Sequence, residues 1–289
     1  MNLIENCVTV VDIGSGSMKA SVFRNVENKI RAVASISRGF RLCPHIGASI
    51  SDKKISITAD FFRRVLGMSK THNSSQVIAV ATQAARRAPN FSELQRKILT
   101  SLGIDLRIIS GTEEATLMAS CVRRFMSLDK FISFDIGCGS VEVAEFNGDL
   151  KGTWSLPLST IDLSKMENFK EAEVATEKIL KTVKFHDAGV AQYPLVGSGG
   201  TLRVANLLME GGMGKKITCQ EVKSLLGTLK NKTNEERVAL GVPKVRADVF
   251  PYGLLVVCKL MERVQIRELQ VMLGNLRLSL AMNYFNTLD

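Results

Sequence analysis

The sequence contains little of what several large classes of protein depend on. It has only 3 histidines, 3 tyrosines and 1 tryptophan, so few side chains are available to bind zinc or to stack on nucleic-acid bases. Its 6 cysteines include no Cys-x-x-Cys pair, which indicates a reducing compartment rather than a disulfide framework. Neither a Walker-type phosphate loop nor a Gly-x-Ser-x-Gly segment is present, which excludes P-loop nucleotide hydrolases and serine hydrolases.

Long apolar runs are also missing. No run is longer than that from Leu254 to Cys258, which is far too short to cross a bilayer. The N-terminal residues lack the charged-then-apolar pattern of a secretory signal. We therefore expect a cytoplasmic protein with no membrane partner. The chain of 289 residues, 45% hydrophobic and 23% charged, is typical of one large or two ordinary globular domains.

The charge balance is strongly basic. A formal net charge of +10 favours an anionic partner such as polyphosphate, a nucleotide or nucleic acid, and it is equally compatible with a basic surface that only aids solubility. The sequence has no long Lys/Arg run and few Tyr or Trp residues, so nucleic acid is the least favoured of these partners.

One short pattern occurs twice. Asp-Ile-Gly-x-Gly-Ser stands at Asp12–Ser17 and again at Asp135–Ser140, each time between two apolar segments that read as strands. Glycines let a backbone approach a phosphate closely, and their N–H groups form anion-binding concavities. Carboxylates beside such a loop, including Glu142, suit a hard divalent cation such as Mg²⁺ placed against the phosphate. The repeat predicts two like domains, each with a phosphate loop.

Strands in a meander, followed by strands alternating with helices, indicate α/β domains with mixed sheets. A third glycine loop, Gly197–Thr201, follows a strand and opens a helix, which is the arrangement of an anion cradle. A capping box with Ser110 explains Glu113. Glu114 has no structural explanation beyond the mild preference for acids in the first turn of a helix, and it is therefore the best candidate for a general base. Arg86 directly follows a strand. It is either an exposed surface residue with no role in binding or a bidentate phosphate ligand.

Taken together, these segments resemble the exopolyphosphatase / guanosine pentaphosphate phosphohydrolase (Ppx/GppA) family of the actin-like ATPase superfold. The segments that carry the resemblance, in family order, are residues 12–17, 81–90, 109–115, 135–142, 197–201 and 246–249. The resemblance implies an α/β fold of two actin-like (ribonuclease H-like, ASKHA) domains, with mixed five-stranded sheets flanking a central cleft. We expect the domains at residues 1–128 and 129–289, with packing of the last helix on the first domain as an alternative.

The resemblance also implies roles for individual residues. Glu114 matches the catalytic base that activates water, and Asp135 and Glu142 match acids that hold Mg²⁺, with Asp12 of the first loop as a further ligand. The implied phosphate-binding residues are one arginine and members of the three loops: Gly14, Ser15, Ser17, Arg86, Gly137, Gly139, Ser140, Gly199, Gly200 and Thr201.

The expected activity is hydrolysis of the terminal phosphate of inorganic polyphosphate, of guanosine pentaphosphate, or of both. One alternative is a protein that senses polyphosphate or guanosine tetraphosphate without turnover, and another is a kinase of the same superfold. Departures from the family pattern include Gly16, Lys19, Cys138 and the segment 273–279. They affect the expected choice of substrate and the efficiency more than the fold. The sequence separately leaves open the preferred metal and the oligomeric state, for which a homodimer is one alternative.

Overall fold

The computed structural model describes residues 7–27, 29–209, 216–272 and 274–286. Its contacts divide the chain into two compact units, residues 1–110 with 276–289 and residues 111–275. Leu273, in the C-terminal segment that departs from the family pattern, lies outside the described residues. Among the helices of the described ranges, none is both long enough and apolar enough to pass through a bilayer.

Strands and helices alternate along much of the chain. The strands are β1 (Cys7–Ile13), β2 (Ser17–Val26), β3 (Lys29–Gly39), β4 (Ser74–Ala81), β5 (Leu106–Ile108), β6 (Lys130–Ile136), β7 (Val141–Asn147), β8 (Asp149–Leu156), β9 (Leu195–Gly199), β10 (Lys216–Thr218) and β11 (Glu268–Val271). The helices are α1 (Asp52–Thr71), α2 (Gln83–Arg87), α3 (Phe91–Leu102), α4 (Gly111–Met126), α5 (Thr160–Leu163), α6 (Phe169–Leu180), α7 (Gly200–Leu208), α8 (Cys219–Leu229), α9 (Asn234–Ala239), α10 (Phe250–Val264) and α11 (Leu276–Asn286). Short 3₁₀ turns lie at Val190–Gln192 and Lys244–Arg246.

The first unit is built on a five-stranded mixed sheet with the order β3-β2-β1-β4-β5. β1, β2 and β3 form an antiparallel meander, while β4 and β5 run parallel to β1. β1 is buried along almost its whole length because α1 lies against it in one core and α11 also packs on it. A central strand covered on both faces is buried at successive positions, as Val8 to Val11 are, and three of these four residues are valine.

The second unit repeats this order and adds a strand. Its sheet has six strands in the order β10-β11-β9-β6-β7-β8, so the prediction of five strands is wrong for this unit. The additional strand, β10, is only three residues long and pairs antiparallel with β11 at the edge of the sheet. Without β10, the order β11-β9-β6-β7-β8 corresponds strand for strand to the first sheet. The repeated sequence pattern is therefore a repeat of topology.

Two helices, α4 and α11, belong to the other unit than the one that the expected domain boundary at residues 128–129 would give them. The division between the units falls before α4 rather than at residue 129, because α4 packs against β6, β7 and β8. Its buried positions include Leu117, Met118 and Cys121. The last helix, α11, packs on β1, β2 and β3 and is part of the first unit. α4 thus directly precedes the strands that it covers, whereas α11 follows the whole second unit and packs on the first sheet.

Candidate active site

The two Asp-Ile-Gly-x-Gly-Ser segments form the same tight turn. The Gly14 N–H donates to the Ser17 carbonyl at 3.0 Å, and the Gly137 N–H donates to the Ser140 carbonyl at 3.1 Å. Each turn joins two antiparallel strands, β1 to β2 and β6 to β7. The strand–turn–strand arrangement predicted from the sequence is therefore present in both units.

In the second unit, four polar residues occupy one row across four neighbouring strands. Ser198 of β9 is in register with Asp135 of β6, Asp135 with Glu142 of β7, and Glu142 with Ser155 of β8. Residues in register have side chains on the same face of a sheet. The Ser198 hydroxyl donates to Asp135 Oδ1 at 2.6 Å, and the Ser155 hydroxyl donates to Glu142 Oε1 at 3.0 Å. The two predicted acids are thus held in place by serines on the strands to either side.

Glu142 is the more deeply buried of these two acids. Glu142 is only 2% exposed, and its Oε1 accepts a second hydrogen bond from the Ser140 hydroxyl at 2.6 Å. Hydrogen bonds from two hydroxyls stabilise a carboxylate that has lost its water. Because the Ser140 hydroxyl proton is committed to Glu142, any donation from Ser140 to phosphate would have to come from its backbone.

Glu114 completes a cluster with the two acids. It lies in the first turn of α4, the helix packed on β6 to β8, and it is 7% exposed. One carboxylate oxygen from each of Glu114, Asp135 and Glu142 lies within 4.8 Å of the other two. Three carboxylates this close repel one another strongly unless a cation or protons compensate their charge. We call Glu114, Asp135 and Glu142 the acidic cluster.

The corresponding row of the first unit has a different charge. Asp12 of β1 is in register with Val80 of β4 and with Lys19 of β2, and Lys19 is in register with Ser37 of β3. A lysine therefore stands where the second unit has Glu142, and the first loop has a single acid opposite a cation. The role of Asp12 as a metal ligand stays a prediction.

Two other predicted phosphate ligands of the first unit have distinctive surroundings. The Arg86 guanidinium is held by two donated hydrogen bonds, Nε to Gln83 Oε1 at 2.9 Å and Nη1 to the Ile109 carbonyl at 2.8 Å. Ser15 is only 5% exposed, and its hydroxyl has no hydrogen-bond partner among the described residues. A buried hydroxyl in a glycine turn without a protein partner is suited to an incoming acceptor such as a phosphate oxygen.

The third glycine loop needs its glycines for close packing. Gly199 has a φ of +104°, and a Cβ at this position would lie 2.4 Å from the Ile136 carbonyl oxygen. Thr201, by contrast, is buried, and its side chain packs against α10 at Gly253, where a Cβ would approach the Thr201 hydroxyl to 2.4 Å. Thr201 thus secures α7 to α10, and its predicted contact with phosphate would have to be made by its backbone.

The structure also brings Arg246 to this loop, a contact that the sequence pattern does not predict. A Cβ placed on Gly200 would be 2.1 Å from Arg246 Nη2, so the guanidinium lies directly against the backbone of the loop. Ser155 and Ser198 were likewise missed as partners of the acids. Arg246 lies in one of the segments that carry the family resemblance, and that position was the available signal. The two serines could be recognised only from the register of the strands, which cannot be read from the sequence.

Comparison with known proteins agrees with this architecture. Similar solved structures include the Ppx/GppA family member from Aquifex aeolicus (23% identity, covering 98% of this chain and 99% of that chain, TM-score 0.84). An exopolyphosphatase from Cytophaga hutchinsonii is similar over 98% of both chains, with 18% identity and a TM-score of 0.88. These identities establish a shared fold. The model of the Ppx/GppA phosphatase family matches residues 21–283, most of the sequence, and the chain therefore belongs to the Ppx/GppA phosphatase family.

Proposed function

We propose that the protein is a divalent-metal-dependent exopolyphosphatase that releases orthophosphate from the end of inorganic polyphosphate, from guanosine pentaphosphate, or from both. Membership of a phosphatase family supports the hydrolysis of a phosphate bond. The observation that carries the finer proposal is the acidic cluster, in which three carboxylates converge beside the glycine loop at residues 137–139. A phosphate bound at this loop would be repelled by the three carboxylates unless a cation lay between the phosphate and the acids.

The donor atoms of the cluster fit Mg²⁺. All are carboxylate oxygens, the hard ligands that Mg²⁺ prefers, and two of the carboxylates are already oriented by serine hydroxyls. We assign Asp135 and Glu142 as the residues that would hold the ion. Bound there, Mg²⁺ would supply charge neutralisation for the negatively charged phosphate oxygens.

Glu114 is assigned as the general base. Its carboxylate would accept a proton from the water that attacks the terminal phosphorus, as the bond from that phosphorus to the bridging oxygen breaks and orthophosphate is released. Burial of Glu114 and its closeness to Asp135 and Glu142 favour this role over that of a solvated surface acid. In the same unit, the Arg246 guanidinium against Gly200 is placed to bind phosphate oxygens at the third loop.

The neighbouring glutamate provides a matched control for this assignment. Glu114→Gln removes one carboxylate from the cluster, whereas Glu113→Gln removes the same charge one residue away on a different side of α4. We expect Glu114→Gln to lower kcat by roughly 100- to 1,000-fold, the usual range for loss of a general base, while polyphosphate still binds. Glu113→Gln should remain within a few-fold of the wild type. The measurement is phosphate release from long-chain polyphosphate and from guanosine pentaphosphate, with Mg²⁺ and with chelator.

Other results would redirect the proposal. Equal hydrolysis by Glu114→Gln and the wild type would remove Glu114 from the reaction. Binding of polyphosphate by the wild type without phosphate release from either substrate would identify a sensor. Transfer of phosphate from ATP to a sugar would identify a kinase of the same superfold.

A further inference from the structure

The net positive charge is confined almost entirely to one of the two units. Residues 1–110 and 276–289 contain 17 Lys and Arg against 8 Asp and Glu, a net charge of +9. Residues 111–275 contain 21 Lys and Arg against 20 Asp and Glu, a net charge of +1. A basic surface that served only solubility would not need to be concentrated in one unit.

Four cations meet where β3 ends and α1 begins. We call Arg38, Arg41, Lys53 and Lys54 the basic cluster. Arg38 is in register with Met18, whose side chain belongs to the core beneath α1, so Arg38 points from the edge strand towards that helix. Lys54 lies in the first turn of α1, and its Nζ stands 4.1 Å from the centre of the Phe40 ring.

These cations are close enough to affect one another. The pKa of Lys54 is lowered from its ordinary value, first by burial and then by repulsion from Arg38, with Lys53 and Arg41 contributing in the same direction. Within the part of the chain that the structure describes, no carboxylate forms an ion pair with Arg38, Lys53 or Lys54. Like charges held close together are unfavourable in the free protein and attract a polyanion.

The basic cluster lies next to the first phosphate loop. Gly39, the last residue of β3, is in register with Ser17, and the Phe40 N–H donates to the Gly16 carbonyl at 3.1 Å. Arg38 and Arg41 therefore flank a segment that is hydrogen-bonded to the loop containing the buried Ser15 hydroxyl. An anion that extends from this loop along the end of β3 would meet the basic cluster next.

We propose that the basic cluster is a subsite for the continuing chain of an inorganic polyphosphate whose nearer phosphates occupy the loop at residues 14–17. This inference rests on the proposed function and selects the inorganic polymer as the substrate. A polyphosphate carries a negative charge on every phosphate along its length, which matches a group of cations beside the loop. A guanine base would need a stacking surface, and the Phe40 ring is 7% exposed with Lys54 over its face.

The edge strand itself supplies a matched control. The test variant is Arg38→Gln with Lys53→Gln, which removes two exposed charges from the basic cluster. The control is Lys29→Gln with Arg31→Gln, which removes two exposed charges from the other end of β3, about 23 Å away along the strand. Both variants should fold, because all four side chains are exposed. Each is assayed for kcat and KM with polyphosphates of graded length in the presence of Mg²⁺, and for direct binding of long-chain polyphosphate at several salt concentrations.

We expect the test variant to raise KM for long chains by about tenfold, with a smaller effect on kcat and a smaller rise for chains of a few phosphates. Loss of two contacts should also reduce the slope of log binding constant against log salt by roughly 1.4. The control variant should stay close to the wild type in both measurements.

The two proposals fail in different ways. If the wild type hydrolyses polyphosphate but the test variant and the control have the same KM at every chain length, the subsite is wrong and the proposed function stands. If the wild type releases no phosphate from polyphosphate, the proposed activity is wrong and the binding measurement decides the subsite. Weaker binding by the test variant alone would then support the subsite, and equal binding by both variants would overturn it.

Discussion

Replacing Gly200 with alanine adds one methyl group at the point where the third glycine loop meets Arg246. The added Cβ would lie 2.1 Å from Arg246 Nη2, and ordinary contact begins at 3.4 Å, so the guanidinium must retreat by roughly 1.3 Å. The atoms in conflict are the far end of a flexible side chain, which moves at little cost. Gly200 is also the first residue of α7, where alanine favours the helix by up to about 1 kcal/mol.

Stability and activity should therefore separate in Gly200→Ala. We expect a melting temperature within a few degrees of the wild type, and a fall in kcat/KM of roughly 10- to 100-fold, because a misplacement of about 1 Å at a reacting group has effects of that size. Differential scanning fluorimetry and phosphate release from polyphosphate are the two assays. Arg246→Ala should lose at least as much activity as Gly200→Ala.

The neighbouring glycine gives the contrasting case. In Gly199→Ala the new Cβ would meet the Ile136 carbonyl at 2.4 Å, and the backbone has a φ of +104°, so neither the clash nor the strain can be relieved by a side chain. We expect this variant to lose several kcal/mol of stability or to fail to fold. A wild-type kcat/KM in Gly200→Ala would refute the placement of Arg246 at the phosphate. A melting temperature of Gly200→Ala as low as that of Gly199→Ala would show that the Arg246 side chain cannot move away from the new methyl group.

Two further predictions concern polar contacts of the second unit. Lys259→Met removes the ammonium that lies 2.7 Å from Glu173 Oε1, and we expect a loss of about 1–3 kcal/mol in urea unfolding at neutral pH. The hydrogen bond from Lys259 is the main cause of the lowered pKa of Glu173, so this stability is present above the ordinary pKa of 4.5 and is lost as the pH falls through the lowered value. The difference between the variant and the wild type should accordingly shrink in acid, and a difference independent of pH would contradict the assignment. Ser155→Ala removes one of the two hydroxyls bonded to Glu142. We expect activation by Mg²⁺ to weaken about tenfold, while the circular dichroism spectrum stays the same. A Mg²⁺ titration identical to that of the wild type would show that the serine does not position the acid.

The sequence was sufficient for the features that depend on local pattern. The two copies of Asp-Ile-Gly-x-Gly-Ser predicted two hairpin loops in two related sheets, and both are present. Glu114 was singled out because its neighbour already had a structural explanation, and the fold places its carboxylate with those of Asp135 and Glu142. The two hairpin loops could be predicted because glycine turns are specified by residues adjacent in the chain. The role of Glu114 as a general base stays a prediction.

The features that the sequence did not predict depend on pairing between distant segments. The bond from Ser155 to Glu142 follows from the register of β7 and β8, and that from Ser198 to Asp135 follows from a parallel pairing across 63 residues. The strand β10 has only three residues, too few for a recognisable alternation. The assignment of α4 to the second unit was missed because an apolar helix face does not reveal which sheet it covers.

The packing of α11 on β1, β2 and β3 has a consequence for synthesis on the ribosome. The first unit is discontinuous: its strands are translated first, but the helix that covers one face of its sheet emerges only after residues 111–275. The second unit is a single continuous segment and can complete its core while that helix is still being made. We therefore expect apolar side chains of β1 and β2 to stay uncovered by α11 until the end of the chain has been made, and we expect the first unit to be more prone to aggregation during synthesis than the second.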